Sequence, residues 1–153
     1  MTIFIGSDHR GFELKAKLFA YLSKHGYVVE DVGDKQLDPK DDFPEFAQQA
    51  AVKVLGSVDP DTRAILICGG GQGMAIAANR FKGIRAAVVT DAHDAKMSRV
   101  DNDSNVLSLS ADRFEDEPEL VFGIIETWLS TEFAGQARFV RRLKEIDKFY
   151  PNM

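Results

Sequence analysis

The chain has 153 residues, 44% hydrophobic and 28% charged, which suits one globular domain with a real core and excludes a disordered or fibrous chain. A net charge of -5 argues against nucleic acid as a partner, so an anionic ligand would have to be drawn by locally clustered arginines. No apolar run approaches the roughly 20 residues that cross a bilayer, no signal-peptide pattern opens the chain, and the lone Cys68 cannot close an internal disulfide; a reducing cytoplasm is the expected compartment.

Residues 2–5 form a short β-branched apolar run of the kind a buried parallel strand needs, ending in Gly6-Ser7-Asp8-His9. Helical spacing follows. Leu14, Leu18, Tyr21 and Leu22 share one face and Gly26 supplies the stop. A second strand is predicted over 27–32, a polar loop over 33–42, and a helix over 44–55 with Ala47, Ala51 and Val54 turned inward. The third strand covers 64–67, a glycine loop 69–73, and a helix 74–81. A strand over 85–89, a helix over 92–100 and a fifth strand over 105–109 continue the alternation. Helices over 118–131 and about 135–149 close the chain, the last too rich in Arg and Lys to be a core helix and suited to reach a partner subunit.

This alternation predicts an α/β fold: a single three-layer, doubly wound (Rossmann-like) domain spanning 1–153, with a five-stranded parallel sheet and an extended C-terminal helix. Ligands of such folds sit at the carboxyl ends of the strands. The most informative stretch lies there. Ile65-Leu66-Ile67-Cys68-Gly69-Gly70-Gly71-Gln72-Gly73-Met74 carries four glycines in five positions between a buried strand and a helix, a turn whose amides can face an anion. A dinucleotide fingerprint would place its glycines after the first strand, and a Walker loop would need Gly-Lys-Ser/Thr; neither is present, so nucleotide binding is disfavoured.

Cys68 opens this turn, where amide and helix-dipole charge would lower a thiol pKa; the plainer alternative is a buried core cysteine. Asp8 and His9 end the first strand in the crevice position, although an aspartate there can simply cap a helix. Arg138 and Arg142 stand at i, i+4 on one helical face, a spacing able to grip a phosphate and equally usual on a solvated basic face. Asn102 and Asn105 bracket the entry to the fifth strand, where Asn and Asp commonly build turns. His25 reads as a helix-end surface residue.

Together, Gly-Ser-Asp-His-Arg-Gly-Phe after strand one, Ile-Leu-Ile-Cys-Gly-x-Gly-x-Gly with Ile-Ala-Ala-Asn, Gly-Ile-Arg-Ala, Asn-Asp-x-Asn-Val-Leu and a C-terminal Arg-x-x-x-Arg closely resemble the ribose-5-phosphate isomerase B family, which includes the galactose-6-phosphate isomerase subunits. The resemblance covers nearly the whole chain. It implies an aldose-ketose isomerase of a small sugar phosphate working through a cis-enediolate, without metal or other cofactor. Cys68 would be the base, since the glutamate some members use falls at Met74. Backbone amides of Gly69, Gly70, Gly71 and Gly73 and the side chain of Asn102 would hold the enediolate oxygens. Asp8 would bond substrate hydroxyls, and His9, Arg138 and Arg142 would bind the phosphate. A homodimer or dimer of dimers with shared active sites is implied.

Three departures from the family pattern stand out. Gly70 replaces a common serine or threonine. Asp101 occupies the place of the histidine that opens the furanose ring, which leaves His93, where a tyrosine is frequent, as a candidate for that task. Around Ser110-Ala111-Asp112-Arg113 the usual turn has an extra residue, and Arg113 matches a phosphate-contacting arginine. Ribose 5-phosphate to ribulose 5-phosphate is the default reaction. Alternatives are a tetrose or hexose phosphate, or a non-catalytic phosphosugar-binding subunit; a tetrose 4-phosphate cannot close a furanose and would need no ring-opening group.

Overall fold

Residues 1–149 are described by the structure, a computed structural model; residues 150–153 of the expected domain lie outside them. The strands β1 (Thr2–Ser7) and β3 (Arg63–Cys68) are almost entirely buried, with β3 buried at every position. Strands so uniformly covered belong in the middle of a parallel sheet with helices on both faces. They pair with each other in a five-stranded parallel sheet of order β2-β1-β3-β5-β4, in which β2 is Val28–Asp31, β4 is Ala86–Val88 and β5 is Val106–Ser110. The two edge strands, β2 and β4, stop one residue short of the expected range at each end, because each has a ladder partner on one side only.

Alternation along the strands sorts the core into two layers. Ile3, Ile5, Ile65, Ile67, Leu107 and Leu109 face helices α1 (Phe12–Lys24), α4 (Ala92–Asn102) and α6 (Pro118–Ser130). Phe4, Ala64, Leu66, Cys68 and Val106 face α2 (Phe43–Gly56) and α3 (Gln72–Ala78). The α3 helix starts two residues ahead of the expected 74 and ends at Ala78 rather than 81. Gly71, at φ 76°, launches it early, and past Ala78 the chain closes in i to i+3 turns at Arg80 and Phe81. Gly73 therefore lies inside the first turn of α3 rather than in the loop.

Two short elements were not foreseen: a 3₁₀ turn at His9–Gly11 and the one-turn helix α5 (Ala111–Phe114). The C-terminal helix α7 (Ala137–Lys148) starts two residues later and ends one earlier than expected; its single buried residue is Phe139.

The buried Arg63 ties the start of β3 to the end of α6. Its guanidinium donates to the carbonyls of Trp128 at 2.8 Å and Leu129 at 3.3 Å, compensating the C-terminal end of α6. Desolvation, then the nearby charge of Arg99, pulls its pKa down to about 10.

Gly11 fixes how closely α1 approaches β3. A Cβ at this position would lie 2.6 Å from Cγ2 of Ile67 and 2.8 Å from the Ile67 carbonyl oxygen. Gly11→Ala should therefore cost about 1–3 kcal/mol, the usual penalty of overpacking, read as a lower urea midpoint at unchanged m-value.

Candidate active site

Strand order reverses between β1 and β3, since the chain winds from β1 outward to β2 and then returns across β1 to β3. The carboxyl ends of those two strands flank the crevice where open α/β sheets bind ligands. Asp8 directly follows β1, and Cys68 ends β3. The Asp8 amide donates to the carbonyl of Ile67, one residue before Cys68, at 3.3 Å. Asp8 also caps the 3₁₀ turn: its Oδ1 accepts from the amides of Arg10 at 3.0 Å and Gly11 at 3.2 Å. The capping alternative thus holds, and both bonds fall on one carboxylate oxygen. Burial raises the Asp8 pKa against the opposing pull of the Gly11 amide and the charge of His9.

Cys68 is 5% exposed and packs at the rim of the α2/α3 layer with Phe46 and Met74. The side chain therefore has the surroundings of a core cysteine, while the next two residues, Gly69 and Gly70, emerge progressively to the surface. The turn is held from behind by β5 and α5. The Gly69 carbonyl accepts from Ser110 Oγ at 2.7 Å and from the Asp112 amide at 3.0 Å, and the Gly71 carbonyl accepts from Ser108 Oγ at 2.6 Å. In a trans peptide the following N–H points opposite to the carbonyl. The amides of Gly70 and Gln72 consequently point away from β5, preset toward the open side of the turn. Gly71 could be nothing larger, being in the left-handed region with Leu109 backbone 3.0 Å from where a Cβ would sit.

His9 faces the same rim. Its Nδ1 lies 2.7 Å from Asp41 Oδ1, which also accepts the His9 backbone amide at 2.9 Å. The Arg10 guanidinium pairs with Asp112, and both groups stand over Gly69. The Phe43 ring closes the floor: a Cβ on Gly73 would meet it at 2.8 Å. Arg113 is exposed on α5, its amide capped by Ser110 Oγ at 3.2 Å. Asp41, Phe43, Arg10, Asp112, Ser108 and Ser110 escaped the sequence reading. The only trace of the first two is Asp-Asp-Phe-Pro at the start of α2, which has no periodicity to set it apart.

The remaining predicted site residues lie elsewhere. Val106, at the start of β5, pairs with Ala64, four residues before Cys68. That spans about 13 Å of strand. Asp101 and Asn102 end α4 before β5 begins, so they stand toward the amino ends of the strands. Asn102, exposed, shares a cavity of about 320 Å³ with Arg85, Ser98, Leu143 and Ile146, which places α7 on the same flank. Arg138 and Arg142 on α7 are exposed and lean on the Phe139 ring, at 4.7 and 6.0 Å from its centroid. His93 is exposed in the first turn of α4, eight residues from Asp101 and thus about 12 Å from it. One chain therefore gathers Asp8, His9, Cys68, Gly69 to Gly73 and Arg113 at one end, and Asp101, Asn102, Arg138 and Arg142 away from them.

The turn-forming alternative holds for Asn105. Its side chain accepts from the Arg85 amide at 2.8 Å and donates to the Gly83 carbonyl at 2.9 Å, while Asp103, at φ 48°, ends α4 and pairs with Arg85 and Arg99. His25 likewise caps its helix, with Nδ1 2.7 Å from the Tyr21 carbonyl. Among the described residues no group of three or more His, Cys, Asp or Glu side chains could hold a metal ion, and no helix is long and apolar enough to cross a membrane.

Residues 3–146 match the Ribose/Galactose Isomerase family model. The chain belongs to that isomerase family. The probable ribose-5-phosphate isomerase B of Mycoplasma pneumoniae is 40% identical over 94% of this chain and 91% of its own. The ribose-5-phosphate isomerase B of Escherichia coli is 39% identical over 94% and 93%. Among solved structures, the Clostridium thermocellum ribose-5-phosphate isomerase B superposes with a TM-score of 0.90 at 40% identity, covering 97% of this chain and 96% of that one. The Mycoplasma genitalium enzyme, solved with ribulose 5-phosphate bound, gives 0.90 at 35% identity over 99% and 97%.

Within the isomerase family, the departures now have places. Met74 is fully buried in the α2/α3 layer, in one cluster with Cys68. Gly70 is exposed with open space about its Cα. The segment with the extra residue folds as α5, and its Asp112 both anchors Gly69 and pairs with Arg10.

Proposed function

We propose that the chain interconverts ribose 5-phosphate and ribulose 5-phosphate, with Cys68 as the base that moves the proton between C1 and C2. The observation that supports this most directly is a thiol at the β1/β3 switch point, beside a glycine turn whose carbonyls are tied back to β5. A Cys68 thiolate takes the C2 proton of the open-chain aldose; the released electron pair becomes the C1–C2 double bond of a cis-enediolate. Negative charge moves onto O1, where the amides of the glycine turn stabilise it at little reorganisation cost. Return of that proton from the Cys68 thiol to C1, with the O2 proton passing to O1 as the C2–O2 double bond forms, gives the ketose and restores the thiolate. Asp8 bonds substrate hydroxyls, and His9 with Arg113 meets the phosphate.

Asn102, Arg138 and Arg142 join this site from a second copy of the chain, in a homodimer or a dimer of dimers. Within one chain they lie too far from Cys68 to contribute. The α7 helix also offers an apolar stripe, Val140, Leu143 and Ile146, that its own chain covers only in part. A cytoplasmic setting fits the free thiol and this metabolic chemistry.

Asp101 favours a second reading. Without a ring-opening histidine, the enzyme is suited to a substrate whose open form predominates, such as a tetrose 4-phosphate. A panel of aldose phosphates, read by hydrogen exchange at C2, separates the readings. If ribose 5-phosphate is the substrate and ring opening limits turnover, Asp101→His raises its rate several-fold and leaves the tetrose phosphate rate unchanged. Absence of turnover on the whole panel, with sugar phosphates still protecting the protein against unfolding, would leave a binding subunit as the answer.

A further inference from the structure

The loop before α2 contains a carboxylate that the reaction does not touch and that is nonetheless aimed at the site. Asp38, Pro39, Lys40 and Asp41 form a turn closed by the Asp41 amide donating to the Asp38 carbonyl at 3.2 Å, with the Lys40 amide on Asp38 Oδ1 at 2.9 Å. Pro39 at the second position presets that turn. It delivers the Asp41 side chain, 7% exposed, to His9, 32 positions earlier in the chain. A single oxygen, Oδ1, receives both the backbone amide and the Nδ1 proton of His9.

We propose that Asp41 is a positioning residue for phosphate binding: its carboxylate fixes His9 in the Nδ1–H form, turns Nε2 to the ligand, and favours the cationic ring over the neutral one. The inference rests on the reading of His9 as a phosphate ligand given above. With Nδ1 committed to a carboxylate, Nε2 is the nitrogen left to donate to an anion, and a donor carrying charge makes the stronger bond. The groups facing His9 act in the same sense with one exception. The hydrogen bond to Asp41 raises the His9 pKa most; desolvation opposes it next, the charges of Asp41 and Asp8 add to the rise, and the charge of Arg10 lowers it least. The same contact stabilises the fold with a definite pH dependence. Because the folded pKa lies above the ordinary 6.5, the stabilisation is complete below that pH and fades as pH rises through the folded value.

The test uses the full chain with Asp41→Asn, which keeps an acceptor for the His9 amide and removes the charge; Asp41→Ser is a second neutral variant should the first fold poorly. Ring ¹⁵N chemical shifts of His9 report tautomer and titration midpoint without reference to activity. Wild type should show the Nδ1–H tautomer when neutral, and both variants a lower midpoint. For ribose 5-phosphate, KM at about pH 8 should rise roughly fivefold in the variants, shrink to near wild type at about pH 6 where the ring is protonated regardless, and leave kcat unchanged. A titration midpoint equal to wild type, or a KM change of the same size at both pH values, would overturn the role of Asp41. His9→Ala separates the two layers of the claim: if it leaves KM unchanged while Asp41→Asn still shifts the His9 midpoint, the phosphate reading fails on its own account and the proposal with it.

Discussion

Replacing Cys68 with alanine or serine is expected to lower kcat by roughly 100- to 10,000-fold while leaving KM close to wild type. The size follows from what the residue is asked to do. Carbon-bound hydrogens are weakly acidic, and without a base in contact the proton has only water to accept it. The glycine turn would survive the substitution, because its carbonyls are held by Ser108, Ser110 and Asp112 rather than by the thiol. Substrate would still bind and the enediolate, once formed, would still be stabilised; only the transfer would fail. Serine is the stricter replacement, being nearly isosteric and far less acidic than a thiol. Because Cys68 is buried in the layer of Phe46 and Met74, alanine leaves a small void and serine buries a hydroxyl, so each variant should also lose about 1–3 kcal/mol of stability, and kinetics are compared at a temperature where both remain folded. The measurement is steady-state kinetics paired with C2 hydrogen exchange. Variants that keep wild-type exchange would exclude Cys68 as the proton carrier.

Mixing two dead proteins should restore activity. In the proposed dimer, the Cys68→Ala and Asn102→Ala proteins are each expected to lose nearly all turnover, the first for want of a base and the second for want of a donor to the enediolate. Unfolded together and refolded at equal amounts, they would assemble at random, so that about half the dimers contain one chain of each kind. In a site shared across the interface, such a mixed dimer has one site bearing both defects and one bearing neither, and about a quarter of wild-type activity returns. The prediction is sharp because the alternative gives nothing. If Asn102 served the Cys68 of its own chain, every site in every mixture would carry a defect, and activity would stay at the sum of the two variants. The separation of Asn102 from Cys68 along the β3–β5 ladder is the reason to expect rescue.

What could be read early and what could not divides along physical lines. The buried strands were legible because a central parallel strand has no polar face to conceal it, as the fully buried β3 shows. The glycine turn was legible because a left-handed residue and close backbone contact exclude side chains, which leaves a visible run of glycine at Gly69 to Gly73. Asp41 and Asp112 left no such mark. Each is one acid in a polar stretch, given meaning by a partner 32 or 102 positions away. Among the ranges that slipped, β2 and β4 are edge strands with a ladder partner on one side only, while α3 is bounded by the left-handed Gly71 and by the turns at Arg80 and Phe81.

By itself the sequence determined the layer order, the thiol at the head of a glycine turn, and membership of a sugar-phosphate isomerase family, because each is written in local pattern or in ordered blocks. Only the tertiary structure decided which of those marked residues meet. It drew Asp41 onto His9 and Asp112 onto the turn, and it put Asn102 toward the amino ends of the strands, away from Cys68 at their carboxyl ends. Proximity across the sheet depends on strand order and register, which arise from packing the whole chain at once and leave no trace at any single position.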